Sequence, residues 1–409
     1  MKNWSLSWHG LATVVDLEVR QRLRSRRWLW GLLGWFVFIG GITGLVMWAV
    51  YESYSYYCDS LSGCSLGDSE AGPIAFSGIT LFILGMGLVI APAFTATAIN
   101  GDRNQGTLAT LQATRLSSAE IAGGKLIAAW LSVAVFLVVA LPFIVVTIIF
   151  GNISILQVVV CFVVIFVLVA IVCAIGLGWS SVFTRASAST VMTYLSVITL
   201  SIISILVMGL SLAFIDDTVE VRVWGLTDTQ RWKYEREMQE YWDGKTTEAP
   251  PPPINQCQWF VREQWTERVD LVWWVLVPNP FVIVADAAPL SSDEEGSYPV
   301  GLLGIVREGV REMSRPPVKE RDECTTLYEW IPGYNVERQP DGTIVVYDNH
   351  GRVVEVPESP VKPQPLASQY PVWPWGLGVN FLIGAAFFVV VVRKLSIPYR
   401  TLAKGTRVA

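Results

Sequence analysis

Charged residues and histidine are both scarce in this chain of 409 residues. Only 16% of the residues are charged and 52% are hydrophobic, a balance too apolar for an ordinary soluble domain of this length. The two histidines, His9 and His350, cannot build a histidine-based metal site or a nucleophile–histidine pair within one chain. The sequence therefore predicts no catalytic residue, no metal site and no cofactor in this chain, and it disfavours an enzyme.

The chain also lacks the phosphate-binding loop with the pattern Gly-x-x-x-x-Gly-Lys-Ser/Thr. Gly244-Lys245-Thr246 resembles the end of that pattern, but Gln239 stands where the opening glycine is required. We interpret this as a chance match. Any ATP that the protein uses must then be hydrolysed by a partner.

Long runs without Asp, Glu, Lys or Arg are abundant. A helix needs about 20 mostly apolar residues to cross the hydrocarbon core of a membrane. Six runs meet this condition, at residues 28–50, 72–99, 126–150, 153–184, 186–215 and 375–392. Buried helices of a large soluble protein are the alternative, but these seldom stay uncharged for so long. The sequence predicts an all-α polytopic membrane protein with six transmembrane helices.

The charges between these runs predict the topology. Basic residues such as Arg24 and Arg26 precede the first run, residues 51–71 contain four acidic residues and no basic one, and Arg393 and Lys394 follow the last run. Because cytoplasmic segments are enriched in Lys and Arg, both termini are predicted to be cytoplasmic, in a protein of the plasma membrane. Residues 1–27 would be a cytoplasmic amphipathic helix, residues 28–215 would carry helices 1 to 5, and residues 393–409 would be a basic cytoplasmic tail.

Residues 216–374 are accordingly predicted to form a mixed α/β extracellular domain between helices 5 and 6. A helix is expected at residues 231–243, and a hairpin at 343–356 with its turn near Asn349 and Gly351. Residues 269–290 are apolar but contain Pro278-Asn279-Pro280. We interpret them as short helices touching or dipping into the outer leaflet, since a seventh span would put the basic tail outside.

The cysteines are consistent with this topology. Cys58 and Cys64 lie in the first predicted outer loop, and Cys257 and Cys324 lie in the predicted extracellular domain, where disulfides persist. We predict the pairs Cys58–Cys64 and Cys257–Cys324, although four cysteines permit three connectivities. Two further cysteines, Cys161 and Cys173, fall inside the fourth run and are interpreted as packing residues.

The predicted cytoplasmic loop between the second and third runs is the most informative segment. Leu108, Leu111 and Leu116 form a short amphipathic pattern after a glycine, and Ser117 with Glu120 forms a capping box that starts the next helix. These features predict a short helix lying across the inner face of the membrane.

In this loop the sequence resembles the type-2 permease family of ATP-binding-cassette (ABC) exporters. The residues that match the pattern of the family are Asp102-Arg103, Gly106-Thr107-Leu108, Glu120-Ile121 and Gly124-Lys125. The sequence departs from the pattern at Ala109 and Arg115, where an acid and a proline are common. The resemblance also covers the amphipathic N-terminal helix, the six-span plan and Asn279-Pro280-Phe281.

The resemblance implies that residues 100–116 form a coupling helix seated in a groove of a separate ABC ATPase. Two copies of that ATPase would bind ATP and Mg²⁺, beside a second permease subunit in a homodimer or heterodimer. The residues implied in coupling are Asp102, Arg103, Gly106, Thr107, Leu108, Leu111, Arg115, Glu120 and Lys125. The alternative for this segment is a plain amphipathic loop helix.

The implied function is outward transport of an apolar or amphiphilic substrate, such as a lipid, a peptide or a drug-like compound. Membrane lipid is an expected partner and nucleic acid is not. Polar residues in the spans, mainly packing residues, supply candidates for a translocation path: Ser189, Thr193, Ser196 and Asn380. One alternative is a non-transporting sensor or assembly scaffold with a ligand-binding extracellular domain. An ion-coupled carrier is disfavoured, because the runs contain no ionisable relay.

Overall fold

A computed structural model of the chain describes residues 4–24, 26–60, 71–112, 116–151, 153–246, 250, 253, 256–289, 301–324, 327, 334–338, 344–348, 352–354, 360–361 and 371–396. Within these ranges six helices are long and apolar enough to cross a membrane. The predicted six-span α-helical fold, with a small mixed sheet region after the fifth span, is confirmed.

The spans follow one another with short connections, except between the fifth and the sixth. A first helix, α1, precedes them at Trp8–Leu23. The spans are α2 at Arg26–Ser60, α3 at Ala71–Thr95 continued by α4 at Ala98–Gln105, α6 at Ser118–Gly151, α7 at Ile155–Val182, α8 at Ala186–Ile198 continued by α9 at Ser204–Leu212, and α13 at Trp373–Leu395. A short helix, α5, lies between the second and third spans at Thr107–Gln112.

The fourth span, α7, lies at the centre of the bundle. It packs against α3, α6, α8 and α13, and it is apolar all round, as expected for a helix without a solvent face. Gly176 and Gly178 permit this close packing, because a Cβ at either position would collide with Thr95 or Phe387. The first and fifth spans are peripheral and bury the smallest shares of their residues within the chain.

The bundle has two different ends. The end that carries α1, α4 and α5 is called the loop end, and the end that carries the residues between α9 and α13 is called the sheet end. At the loop end α1 packs along the start of α6, where Gly123 and Gly124 make room for Leu11 and Val14.

The sheet end contains two three-stranded sheets. In the first, β1 at Asp216–Gly225 pairs antiparallel with β2 at Gln258–Glu267 and parallel with β3 at Glu320–Asp322. In the second, β4 at Tyr334–Arg338, β5 at Ile344–Asp348 and β6 at Val353–Val354 are antiparallel. The pairing of β5 with β6 confirms the predicted hairpin, whereas its turn at Asn349 and Gly351 lies outside the described residues.

Helix α10 at Asp228–Trp242 confirms the helix predicted after β1. It begins earlier than the predicted start at residue 231, because Thr227 and Gln230 form a capping box in which the Thr227 amide donates to Gln230 Oε1 at 3.0 Å.

The interrupted apolar segment lies against the bundle. It forms two single 3₁₀ turns at Val269–Leu271 and Trp273–Val275, followed by α11 at Pro280–Ala287. Helix α11 is almost wholly buried and contacts α3, α7 and α13. A further helix, α12 at Gly301–Met313, packs on α11 and α3 and was not predicted from the sequence.

Candidate functional site

The loop end presents one short exposed turn between two clamped helices. Helix α4 ends at Gly106, whose φ of 76° lies in the left-handed region and whose amide donates to Arg103 O at 3.2 Å. Residues 104–107, here called the coupling turn, are exposed, whereas Leu108 at the start of α5 is buried. The predicted coupling segment therefore contains two short helices joined at a glycine, and this joint is exposed.

Hydrogen bonds fasten both short helices to the ends of the spans. The amides of Ile99 and Asn100 donate to Ser180 Oγ at the end of α7, at 2.9 and 3.2 Å. The Gln112 amide Nε2 donates to Leu395 O at the end of α13, at 3.1 Å. Leu108 packs in the same apolar cluster as residues of α6, α7 and α13. The coupling turn is therefore connected, through the short helices on either side of it, to the ends of three spans.

A buried network of charges joins α1, α4 and α6 at this end. Lys125 of α6, whose side chain is 2% exposed, forms ion pairs with Glu18 of α1 and Asp102 of α4. Arg22 lies 3.8 Å from Glu18, and its Nη1 donates to Ser132 Oγ at 3.0 Å. Two acidic and two basic side chains balance one another, which makes the burial of Lys125 tolerable.

The environment of Arg22 shows how far this network is shielded from water. Burial of its guanidinium lowers the pKa of Arg22, and the neighbouring Glu18 carboxylate opposes that shift. The guanidinium also lies 5.4 Å from the centre of the Phe94 ring, a cation–π contact with the second span. Arg22 therefore connects α1 to both α3 and α6.

Glu120 connects the start of α1 to the start of α6. Its carboxylate accepts hydrogen bonds from the amides of Ser117 at 2.7 Å and Ser7 at 2.8 Å, while its own amide donates to Ser117 Oγ at 3.1 Å. The capping box predicted from the sequence is confirmed, and it has an additional member in Ser7. Glu120 thus acts as a clamp between two helices.

The residues implied in coupling by the family resemblance divide into three groups. Gly106 and Thr107 belong to the exposed coupling turn, and Arg103 is half-buried next to it. Leu108 and Leu111 pack inward.

The third group consists of Asp102, Glu120 and Lys125. Their charged side chains form ion pairs or hydrogen bonds with other residues of this chain. Arg115 lies outside the described residues.

Sequence reasoning missed Ser7, Glu18 and Arg22 as members of this site. A signal for two of them was present, because Glu18 and Arg22 are spaced i,i+4 on the predicted amphipathic helix. Their partner Lys125 is distant in sequence, so the pattern along α1 did not identify it.

The four candidates for a translocation path all have partners within the bundle. Ser189 and Thr193 are completely buried and donate to Ala96 O at 2.5 Å and Ser189 O at 2.8 Å. Ser196 donates to Met192 O at 2.9 Å and accepts from Trp179 Nε1 at 2.9 Å. Asn380 donates to Pro278 O at 2.8 Å and to Gly376 O at 3.0 Å. Ser189, Ser196 and Asn380 thus connect separate elements, whereas Thr193 bonds within its own helix.

Cys257 and Cys324 form a disulfide with a Cα–Cα distance of 6.1 Å, which is the predicted pair. It joins the residue before β2 to the second residue after β3 and so links two strands of the first sheet. Cys64 and the side chain of Cys58 lie outside the described residues, so their pairing stays a prediction. Cys161 and Cys173 are buried and free inside α7.

Sequence comparison gives the family. Residues 12–233, more than half of the chain, match the model of the ABC-2 family transporter protein family. No match to an individual curated protein accompanies this family match. The matched segment contains most of α1, the first five spans and most of the site at the loop end, except Ser7 and Leu395. Members of this family are membrane subunits that have no ATPase of their own and work with an ABC ATPase. This chain therefore belongs to the ABC-2 family of transporter proteins, as a multi-pass membrane permease.

Proposed function

We propose that this chain is the permease subunit of an ABC exporter. In this exporter two permeases, identical or related, bind two separate ATPase subunits. ATP and Mg²⁺ bind to the ATPases. The loop end and both termini face the cytoplasm, and the sheet end faces the exterior of the cell. The substrate is an apolar or amphiphilic compound such as a lipid, a peptide or a drug-like molecule, and it moves outward.

The observation that carries this proposal is the exposed coupling turn on an otherwise clamped hairpin. Residues 104–107 are exposed, so a partner can reach them, while hydrogen bonds to Ser180 and Leu395 anchor the helices on either side of them. The buried Asp102–Lys125 ion pair links the same hairpin to the third span. A push on the turn would therefore displace spans as rigid elements and not merely bend a loop.

The chemistry of the spans supports an apolar or amphiphilic substrate. The six uncharged runs contain no Asp, Glu, Lys or Arg to compensate a charged compound in the membrane. The serine and threonine hydroxyls of the fifth span largely donate to backbone carbonyls one turn earlier. The substrate would thus be held mainly by apolar contacts.

The proposal is tested by placing a bulky side chain in the coupling turn. Gln105→Trp is suitable, because Gln105 is exposed and a tryptophan there adds volume without disturbing a buried contact. The variant is reconstituted with its partner ABC ATPase, isolated with the unmodified protein, and ATP hydrolysis is compared with that of the ATPase alone. We expect stimulation by the permease to be lost.

Gln239→Trp is the matched control, since Gln239 is exposed on α10 at the sheet end. This variant should keep the stimulation of the unmodified protein. Unchanged stimulation and unchanged ATPase retention in Gln105→Trp would contradict the coupling role of the turn. Retention of the ATPase is measured by affinity isolation in mild detergent.

A further inference from the structure

An apolar cavity of about 570 Å³ lies at the sheet end, between the fifth and sixth spans. One wall is the fifth span from residue 199 to residue 207, where the helix is interrupted by a π segment at Thr199–Ile203. The opposite wall is formed by residues 273–278, and the start of α13 contributes Trp375 and Val379. The four predicted translocation-path residues are all described, and none of them lines this cavity.

Asn279 lies beside the cavity, and the polar atoms of its side chain are bonded to the protein itself. Asn279 is completely buried, and its Nδ2 donates to Ser201 O in the π segment at 2.8 Å and to Ser204 Oγ at 2.9 Å. Its Oδ1 accepts from the Phe281 amide at 2.9 Å. The irregular backbone of the π segment is thus satisfied by Asn279, and no ligand is needed for that purpose.

The two hydroxyl groups in the lining also donate hydrogen bonds within the protein. Thr199 Oγ1 donates to Leu195 O at 2.8 Å, and Ser204 Oγ donates to Leu200 O at 2.9 Å. A polar molecule in the cavity would lose its hydrogen bonds to water and find few replacements. Water itself is disfavoured in a cavity with such walls. The occupant must therefore be a hydrocarbon.

The side chains next to the cavity indicate that membrane lipid is the source of this hydrocarbon. Next to the lining residues, Ile202 and Leu206 of the fifth span are exposed, and in a membrane-spanning helix an exposed leucine or isoleucine faces lipid. Trp274 and Trp375 are exposed beside the cavity, and tryptophan is enriched at the level of lipid head groups. The volume falls within the range of about 300–1,000 Å³ that is typical of ligand cavities.

We infer that this cavity binds one acyl chain of a phospholipid from the leaflet next to the sheet end, with the head group near Trp274 and Trp375. Packing and not the hydrophobic effect favours this occupant, since lipid is as apolar as the cavity and an empty cavity loses dispersion contacts. The site is separate from the coupling turn. Its occupancy requires no ATPase, so its failure would leave the proposed function untouched.

The test uses a phosphatidylethanolamine with a diazirine near the end of one acyl chain, in liposomes that contain the purified full-length protein. After irradiation and proteolysis, the label is mapped by mass spectrometry. We expect it to be concentrated on peptides that contain residues 199–207 and 273–279. The exposed face of α2, around Leu33 and Val37, reports labelling by bulk lipid.

Two variants that fill the cavity are compared with two control variants at nearby positions outside the lining. Val207→Trp fills the cavity from the fifth span, and Val379→Trp fills it from the sixth. Leu206→Trp and Leu382→Trp add the same side chain at exposed positions outside the lining. Each filling variant should lose most of the label on residues 273–279. Each neighbouring variant should keep it, and all four should label α2 equally.

Three results would overturn the inference. The first is equal labelling of residues 273–279 in the filling variants and their neighbours. The second is wild-type labelling of the cavity peptides no stronger than that of α2. The third is labelling of the cavity by a diazirine fatty acid but not by the phospholipid, which would exclude a phospholipid as the occupant.

Discussion

The two ends of the helix bundle each contain a buried ion pair, and the two pairs are built differently. At the sheet end Arg311 of α12 pairs with Asp286 of α11, and the two side chains are 4% and 0% exposed. At the loop end Lys125 is equally buried, but its partners Glu18 and Asp102 are 13% and 25% exposed. One pair is closed off from solvent and the other extends to the edge of the protein.

At the sheet end, backbone amides also form hydrogen bonds to the ion pair. Asp286 Oδ2 accepts hydrogen bonds from the amides of Val372 and Trp373 at 2.6 and 2.7 Å, so the carboxylate caps the start of α13. A negative charge at the start of a helix also interacts favourably with the helix dipole. Arg311 and Asp286 thus fix the position of the sixth span relative to α11 and α12.

Among the described residues, the Lys125 network joins α1, α4 and α6 through ion pairs between side chains. Partly exposed carboxylates regain water when a pair separates, so rearrangement costs less there than at the sheet end. The difference suggests a division of roles, in which the sheet end is fixed and the loop end can move. The predictions below test this division, starting with the largest expected effect.

The first prediction is that Arg311→Met destabilises the protein by about 3–5 kcal/mol, the usual cost of leaving a buried charge without its partner. The measurement is thermal unfolding of the purified protein in detergent. Arg315→Met is the control, because Arg315 pairs with Glu312 at 3.6 Å near the surface, where such a pair contributes about 0–1 kcal/mol.

The double variant Asp286→Asn with Arg311→Met removes the charge as well as its partner. It should recover part of the stability lost in the single variant, since asparagine can still accept hydrogen bonds from Val372 and Trp373. Equal stability of Arg311→Met and Arg315→Met would show that the sheet end is not fixed by this ion pair.

The second prediction concerns the disulfide of the sheet end. Cys257 and Cys324 are separated by 67 residues, and removal of a disulfide that closes a long loop costs about 2–4 kcal/mol. In the double variant Cys257→Ala, Cys324→Ala, backbone amides of β1 and β2 should exchange with deuterium much faster. Amides of α1 and α6 should not change.

Reductant supplies the control for this experiment. It should reproduce the effect in the unmodified protein and have no further effect on these strands in the double variant. Faster exchange at the loop end in the double variant would contradict the independence of the two ends.

The third prediction is a smaller loss, of about 1–3 kcal/mol, for Lys125→Met. This change leaves the carboxylates of Glu18 and Asp102 without their shared partner, but both can reach water. Hydrogen exchange in α1 should increase, and stimulation of the ATPase should fall because α4 is no longer tied to α6.

Adding Asp102→Asn to Lys125→Met removes the carboxylate charge that has lost its partner, whereas Glu18 still has Arg22 beside it at 3.8 Å, so the stability of α1 should be restored in part. It should not restore the coupling, because the ion pair between α4 and α6 is still missing. A loss as large as that of Arg311→Met would contradict the proposed difference between the two networks.

The sequence predicted those features that depend on neighbouring residues. Six long uncharged runs were sufficient to predict the six spans, and the spacing of Ser117 and Glu120 was sufficient to predict the start of α6. The end of the second span was placed too early, at residue 99. The helix in fact continues to Gln105, because Asn100 is buried against α7 and Asp102 is paired with Lys125.

Features that depend on distant contacts were not predicted. Lys125 was assigned to the surface that meets the ATPase, since nothing near it in the sequence indicates Glu18 as its partner. Asp286 is a charge in an apolar segment, but nothing near it in the sequence indicates Arg311 as its partner. The apolar spacing of Leu303, Val306 and Val310 was a usable sign of α12. The π segment accepts a hydrogen bond from the distant Asn279 and has no local signal.

The fourth prediction has the smallest effect and concerns the coupling turn alone. Gly106 has a φ of 76°, and a Cβ there would meet no atom within 4 Å, so the only cost of Gly106→Ala is backbone strain of about 1 kcal/mol. Amides of α4 and α5 should then exchange about fivefold faster.

Gly101→Ala is the matched control for this prediction, since Gly101 lies within α4 and a Cβ there also meets nothing within 4 Å. Alanine is the better helix former, so this variant should stabilise α4 by about 0.5–1 kcal/mol and slow the exchange. Opposite changes in the two variants would show that the turn is held by its own backbone conformation. Equal changes in the two variants would mean that contacts outside the coupling turn hold its conformation. The loop end would then be as rigid as the sheet end.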